Sequence, residues 1–236
     1  MIPLHNADAL LAWVERSFGY VFVHPALCLT ALTHRSAGAD HNERLEFLGD
    51  SILNCSVARM LYDAHPQADE GALSRLRASL VSGETLAQIA ADLGLGEHLR
   101  LGSGELKSGG FRRASILADA LEAVLGAIFL DAGFDAAAAV VARIIGARLS
   151  DLPGADTLKD PKTRLQEALQ AHGLALPVYT LTAVAGDPHA QAFTVCCEVP
   201  VFGLAAVGEG GSRRRAEQLS AAKLLDLLPL EIRNPI

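Results

Sequence analysis

Apolar residues recur at intervals of three and four from Asn6 to Leu149, punctuated by Pro25, Pro66, Gly83, Gly94 to Gly96, Gly102 to Gly110 and Gly133. That spacing matches the 3.6-residue turn of an α-helix, so this stretch is expected to form many helices and almost no strand. The pattern changes after Leu149. Ser150 to Asp156 is short and polar and carries Pro153 and Gly154, the composition of a linker. Pro161 to His172 is amphipathic with proline at its start. Val178–Val184, Phe193–Val199 and Gly203–Val207 read as strands, the first two separated by the turn signal Gly186-Asp187-Pro188. Ser212 to Leu228 returns to helical spacing. The predicted fold class is therefore mostly α: an all-helical domain over 1–150, a linker over 151–159, and a small α-β-β-β-α (α+β) domain over 160–230 with two helices on one face of its sheet.

Size and composition agree with that division. The chain has 236 residues, half of them hydrophobic and only 5% aromatic, which suits a helical globular protein. Met1 to Tyr20 has no basic region followed by an apolar core, and Asp8, Glu15 and Arg16 interrupt any signal-peptide reading. The longest Ala/Val/Ile run, 136–147, contains Arg143 and is too short to span a bilayer. A soluble, cytoplasmic protein with no membrane partner is the expectation. Cys28, Cys55, Cys196 and Cys197 form no C-x-x-C pair and are expected to be buried free thiols, with the adjacent Cys196 and Cys197 on opposite faces of a strand.

A net charge of −7 argues at first against a polyanionic partner, because such binding is driven by Lys and Arg neutralising phosphates. The distribution removes the objection. Residues 157–236 hold eight basic and eight acidic side chains, so the whole excess of acid lies in the first 156 residues.

There the acids are patterned. Glu43, Glu46 and Asp50 stand at i, i+3 and i+7, one narrow face of a helix, and Asp119 and Glu122 repeat the i, i+3 step. Asp50, between Phe47-Leu48-Gly49 and Ile52-Leu53, is expected at the edge of the core, where a carboxylate needs a donor, a cation or a metal. Carboxylates facing one another from two helices repel by ~4 kcal/mol per close pair at the effective dielectric near a protein surface. Bound divalent cations would remove that cost. On the residues alone two explanations stand: a metal site, or a structural network in which Arg44, Arg75, Arg77, Arg112 and Arg113 pair with the acids. A site of oxygen ligands without His or Cys selects magnesium, with manganese as a substitute, and those metals suit phosphate chemistry.

Asn42-Glu43-Arg44-Leu45-Glu46-Phe47-Leu48-Gly49-Asp50-Ser51 resembles the signature of ribonuclease III, the endonuclease family that cleaves double-stranded RNA. The likeness continues through Thr33-His34-Arg35-Ser36, Asp69-Glu70-Gly71, Leu73-Ser74-Arg75-Leu76-Arg77, Gly104-Glu105-Leu106-Lys107-Ser108-Gly109-Gly110 and Arg112-Arg113-Ala114-Ser115-Ile116-Leu117-Ala118-Asp119. It implies an all-helical endonuclease domain that hydrolyses phosphodiester bonds in double-stranded RNA, such as rRNA and mRNA precursors, with a magnesium-activated water. The products it implies carry 5′-phosphates and 3′-hydroxyls. By the resemblance Glu46, Asp50, Asp119 and Glu122 are metal-ligand positions. Asp50 and Glu122 are then the catalytic pair tied most directly to the hydrolytic water, while Glu43 and Glu70 are acids of second rank that join when substrate binds. The resemblance also implies a homodimer with Phe47 inserted into the partner subunit; on sequence alone an ordinary core residue is the lesser alternative. Phe129, where Tyr is frequent, is a mild departure.

At the other end, Gly208 to Gln218 opens the last helix with Arg213, Arg214 and Arg215. Cations in a first turn oppose the helix dipole, so a phosphate partner explains them better than a solvated patch. With the α-β-β-β-α order, Pro177-Val178-Tyr179, Phe193-Thr194-Val195 and Ala216-Glu217-Gln218, this segment looks like a double-stranded RNA-binding domain, a module that reads A-form shape. The likeness places RNA contacts at Thr163, Gln166 and Glu167, at His189 in the first hairpin loop, and at Arg213 and Arg214. A non-cleaving RNA-binding homodimer on the same fold is the rival, and it predicts eroded acids.

Overall fold

A computed structural model describes residues 4–150, 152, 159–187 and 190–233. The expected contact His189 and most of the expected linker, 151 and 153–158, lie outside the described residues. The chain divides into two compact units, Met1–Ala155 and Asp156–Ile236.

The first unit is helical: α1 (Leu4–Phe18), α2 (Pro25–Ala31), α3 (Glu43–Ala64), α4 (Glu70–Leu80), α5 (Gly83–Asp92), the short α6 (Ser103–Lys107) and α7 (Ala114–Ser150). Sequence punctuation sets the boundaries. Asp69 caps α4 by accepting from the Ala72 N–H at 2.6 Å, and Ser82 caps α5 by accepting from Thr85 at 3.2 Å. Among the described residues the only β pairing here is the isolated bridge between Thr33 and Arg100, so the expected near-absence of strand holds. Helix α7 is broken at Gly133, whose φ of 83° lies in the left-handed region. Just before the break, Asp131 fastens the connection between α1 and α2. It accepts from the Tyr20 hydroxyl and Val23 N–H, both at 2.7 Å, and from the His24 N–H at 2.9 Å, while the His24 ring nitrogen lies at 2.8 Å.

Helices α3 and α7 form the centre of this unit, with Leu53, Leu61, Leu121, Leu125, Ile128 and Ile145 completely buried. Their crossing is a backbone contact. A Cβ on Gly49 would overlap the Glu122 carbonyl oxygen, and one on Gly126 would overlap that of Leu45, so only glycine allows this approach. Helix α7 is long and apolar enough to cross a membrane, a property the 136–147 run does not reveal. Its continuous burial from Ala123 to Ile128 against the rest of the unit gives that apolar character a role in the core.

The second unit is α8 (Pro161–Ala171), β1 (Val178–Ala185), β2 (Ala192–Val199), β3 (Leu204–Gly210), α9 (Arg213–Leu227) and α10 (Leu230–Arg233). The sheet is antiparallel in the order β1-β2-β3, with Tyr179 opposite Cys197, Thr180 opposite Cys196, and a register shift between Leu181 and Ala183. Leu165 and Leu169 of α8, Cys197 and Val199 of β2, and Leu224 and Leu225 of α9 share one core, which puts both helices on the same face as expected. Cys197 points into that core and Cys196 away from it, and all four cysteines are free thiols. The expectation that all are buried fails at Cys55, which is exposed on α3 between the inward positions Ile52, Leu53, Ser56 and Val57, and at the half-buried Cys196.

Candidate active site

The Gly49–Gly126 crossing lays the acidic face of α3 against the start of α7. Glu46, Asp119 and Glu122 each bring a carboxylate oxygen within 4.8 Å of the others, and all three are half-buried. Their environment disfavours charge. The Glu122 carboxyl is pushed up to about 8, chiefly by burial and then by Asp50, Glu46 and Asp119. Glu46 is raised by burial and by Asp119 and Glu43, against Arg35; Asp119 is raised by burial, against His34. Beside the trio lies a cleft of about 820 Å³ whose walls include His34, Arg35, Glu43, Glu46, Glu105, Arg113 and Asp119.

Arginine does not neutralise the trio. Arg35 reaches Glu43 at 3.2 Å and Arg113 reaches Glu105 at 2.7 Å, and no ion pair among the described residues involves Glu46, Asp119 or Glu122. The arginine-network explanation is therefore not realised at these three acids. A set of half-buried, uncompensated carboxylate oxygens is the chemistry that a hard divalent cation fits.

Asp50 corrects the sequence reading of its burial: it is exposed. Its neighbour Phe47 is itself 78% exposed, so the apolar flank that suggested a core edge does not mark one. Asn54 Nδ2 donates to Asp50 Oδ1 at 2.7 Å. Asp50 stands outside the 4.8 Å trio yet is close enough to raise Glu122. Glu43 and Glu70 also stand outside it. Glu43 is held by Arg35, and Glu70, the first residue of α4, accepts from the Ser74 hydroxyl at 2.8 Å. The exposure of Phe47 removes the ordinary-core explanation for that residue. The sequence reading assigned no role to His34 and Arg35, which lie in a loop, or to Glu105 of the short α6; the Thr33-His34-Arg35-Ser36 and Gly104-Glu105-Leu106 stretches were the available signal.

In the second unit Thr163, Gln166 and Glu167 are exposed on α8, and Arg213 and Arg214 are exposed at the start of α9. Ser212 caps α9, accepting from the Arg215 N–H at 3.2 Å. Glu217 ties the two helices together. It accepts from Lys162 Nζ at 2.5 Å and from Arg213 Nε at 3.0 Å, and the Lys162 bond above all holds its carboxyl below the usual range. Lys162, which also lies 4.6 Å from the centre of the Tyr179 ring, had no place in the sequence reading. Glu167 accepts from Lys159 at 2.8 Å.

A family model described as Ribonuclease-III-like matches residues 24–149, and one described as Double-stranded RNA binding motif matches residues 161–228. Ribonuclease 3 of Pseudomonas fluorescens is 55% identical over 94% of this chain and 96% of its own length. The chain belongs to the ribonuclease III family. Ribonuclease 3 of Thiobacillus denitrificans is 58% identical over 92% of this chain and 96% of its own length. Among solved structures, the ribonuclease III nuclease domain of Campylobacter jejuni is 40% identical with a TM-score of 0.57, covering 61% of this chain and 98% of that one. A second structure of that domain, 41% identical with a TM-score of 0.57 and covering 59% of this chain and 99% of that one, is described for flexibility in a region involved in its dimer formation. The acid trio and its cleft thus lie in the ribonuclease III-like part, and the α8–α9 pair in the RNA-binding motif.

Proposed function

We propose that this protein cleaves double-stranded RNA at the cleft between α3 and α7. The observation that carries the reading is the trio of half-buried carboxylates within 4.8 Å of one another, with no ion pair to any of them among the described residues. Residues 1–150 are taken as the catalytic domain, 151–159 as the linker and 160–230 as the RNA-binding domain. Glu46, Asp119 and Glu122, joined by Asp50, are the residues that would hold magnesium, or manganese in its place. Bound there, the metal supplies Lewis-acid charge and a water of lowered pKa. The chain does the positioning. Asn54 donates to Asp50 Oδ1 and so fixes the orientation of the carboxylate tied most directly to the hydrolytic water. Glu122 is the second catalytic residue, fixed through its own backbone at the glycine crossing. Attack at phosphorus with departure of the 3′-oxygen leaves a 5′-phosphate and a 3′-hydroxyl. Glu43 and Glu70 act when the duplex is in place.

On the second domain, Thr163, Gln166, Glu167, His189, Arg213 and Arg214 contact the duplex. The substrates are structured precursors of rRNA and mRNA. The cytoplasm is the compartment this reading requires, where such transcripts and the free thiols of this chain coexist. The non-cleaving alternative has no observation in its favour, because every acid it predicts to be lost is present.

The experiment is cleavage of long double-stranded RNA with magnesium and then with EDTA, alongside Glu122→Gln and Asp50→Asn. Metal-dependent cleavage, reduced by roughly 10²–10³-fold in each variant as several kcal/mol of transition-state stabilisation are lost, is expected. Cleavage that survives EDTA, or that both variants retain in full, would sink the reading.

The active form is a homodimer. A cleft of about 560 Å³ on the catalytic domain, lined by Leu27, Leu45, Leu48 and Leu130 together with Asp40, His41 and Arg44, is the seat proposed for the Phe47 of a second copy. Phe47→Ala is expected to shift the native mass toward the monomer at micromolar concentration, where wild type is dimeric. A wild-type monomer, or an unshifted variant, contradicts this.

A further inference from the structure

His34 is held more firmly than a loop residue without a task needs to be. Its backbone N–H donates to the Arg100 carbonyl at 3.0 Å, beside the Thr33–Arg100 bridge, and its carbonyl accepts from Ala37 at 2.8 Å. Thr33 is buried, its hydroxyl donating to the Leu29 carbonyl at 2.6 Å, and its carbonyl accepts from the N–H of Asn42, which leads into α3. The imidazole is therefore fixed relative to both α3 and the segment that approaches α7.

The ring's hydrogen bonds decide which nitrogen carries the proton. The Ser36 backbone N–H donates to His34 Nδ1 at 3.2 Å. The Ser36 hydroxyl oxygen accepts from the Gly102 N–H at 2.9 Å and lies 2.8 Å from the same Nδ1, so its own proton points to Nδ1. Nδ1 thus accepts twice, and the neutral ring carries its proton on Nε2. Nε2 has no hydrogen-bond partner among the described residues, and the ring lines the cleft that also holds Glu46 and Asp119. A nitrogen that carries a proton donates and does not ligate a metal, so this histidine is not a further member of the metal site.

The two arginines of the cleft are already paired, Arg35 with Glu43 and Arg113 with Glu105. We infer that His34 Nε2–H donates a hydrogen bond to a non-bridging phosphate oxygen of the RNA strand being cut, with Ser36 and Gly102 acting as positioning residues that fix the tautomer. The bond sets the strand's backbone against the acids. It acts on an already bound duplex, whose affinity comes from many phosphate contacts, so its loss falls on turnover and spares binding.

The inference rests on the double-stranded RNA reading, and the experiment separates the two. Steady-state cleavage of long double-stranded RNA is measured for wild type, His34→Ala and His34→Gln, whose side-chain amide N–H reaches a similar position, together with each protein's thermal midpoint. Loss of a hydrogen bond to a charged oxygen predicts a fall in kcat of about ten- to hundredfold for His34→Ala. KM is expected to stay within about threefold, the midpoint to be unchanged, and His34→Gln to recover most of the rate. Full activity in His34→Ala, no recovery in His34→Gln, or a loss that follows a fall in midpoint in both variants overturns the inference. A wild-type protein that fails to cleave overturns the proposed function instead.

Discussion

Gly49→Ala tests whether the backbone contact between α3 and α7 builds the site. In the middle of a helix this substitution would ordinarily stabilise by ~0.5–1 kcal/mol, because alanine loses less conformational freedom on folding. Here the new methyl would overlap the Glu122 carbonyl oxygen and approach the Gly126 nitrogen at 3.0 Å. Both neighbours are backbone atoms inside a buried helix and cannot rotate away, so the helices must part. Overpacking of this kind costs ~1–3 kcal/mol. Its upper range applies, which leaves a net loss of about 2 kcal/mol and a fall in Tm of roughly 4–8 °C for a protein of this length. The effect on turnover is larger in proportion. Glu46 and Asp50 flank the altered residue on α3, and Glu122 belongs to the carbonyl that is struck, so a separation of about 1 Å moves acids on opposite sides of the site and costs ~10²-fold in rate. Thermal unfolding and single-turnover cleavage with saturating magnesium, on the same preparation, measure both. A variant as stable as wild type and fully active would refute the crossing as the element that sets the acids' spacing.

Asp131→Asn should destabilise the catalytic domain by about 2–4 kcal/mol, since it withdraws an acceptor from donors on Tyr20, Val23 and His24. Burial acts to raise the Asp131 carboxyl, but the bonds from Tyr20, Val23 and His24 outweigh it and hold it below its ordinary value. Its contribution is therefore complete above the unfolded value near ~4 and is lost as pH falls through the lower folded value. Denaturant midpoints measured between pH 7 and 3 should fall more steeply for wild type than for the variant; parallel curves would contradict the assignment. Arg213→Ala with Arg214→Ala should weaken double-stranded RNA binding and reduce the slope of log K against log salt by about one per phosphate contact removed. An unchanged slope would exclude both from the interface.

What was legible in the chain follows from how local each feature is. The three-and-four spacing of apolar residues gave α8 and α9 nearly to their ends, because helix register is written within a few neighbouring residues. The acids' shared face was legible for the same reason. The pairing of Gly49 with Gly126 left no sign in the sequence, since contact between distant helices leaves no periodic trace. The apolar flank of Asp50 does not mark a core edge, because Phe47 within it is itself turned outward. His34 sits in a loop, and Glu105 in the short α6, whose placement depends on the Thr33–Arg100 bridge and on Gly102 reaching Ser36, again pairings of distant segments.

The cleft's cations show why the inner acids stay uncompensated. Arg35 and Arg113 are long enough to swing among several carboxylates, yet each is held by an outer one, Glu43 and Glu105. Either arginine, placed on Glu46 or Asp119, would lower the repulsion inside the trio and stabilise the metal-free protein. It would also fill the space that a divalent cation needs and hold its competitor at fixed charge, because guanidinium does not deprotonate in proteins. Glu43 and Glu105 thus act as decoys that keep arginine away from Glu46, Asp119 and Glu122 and leave the repulsion there for a metal to relieve. This division explains how one cleft can hold two arginines and still keep bare carboxylates. It also sets the roles of the outer acids apart from those of the inner ones, since the former govern where positive charge of the chain may go and the latter where it may not.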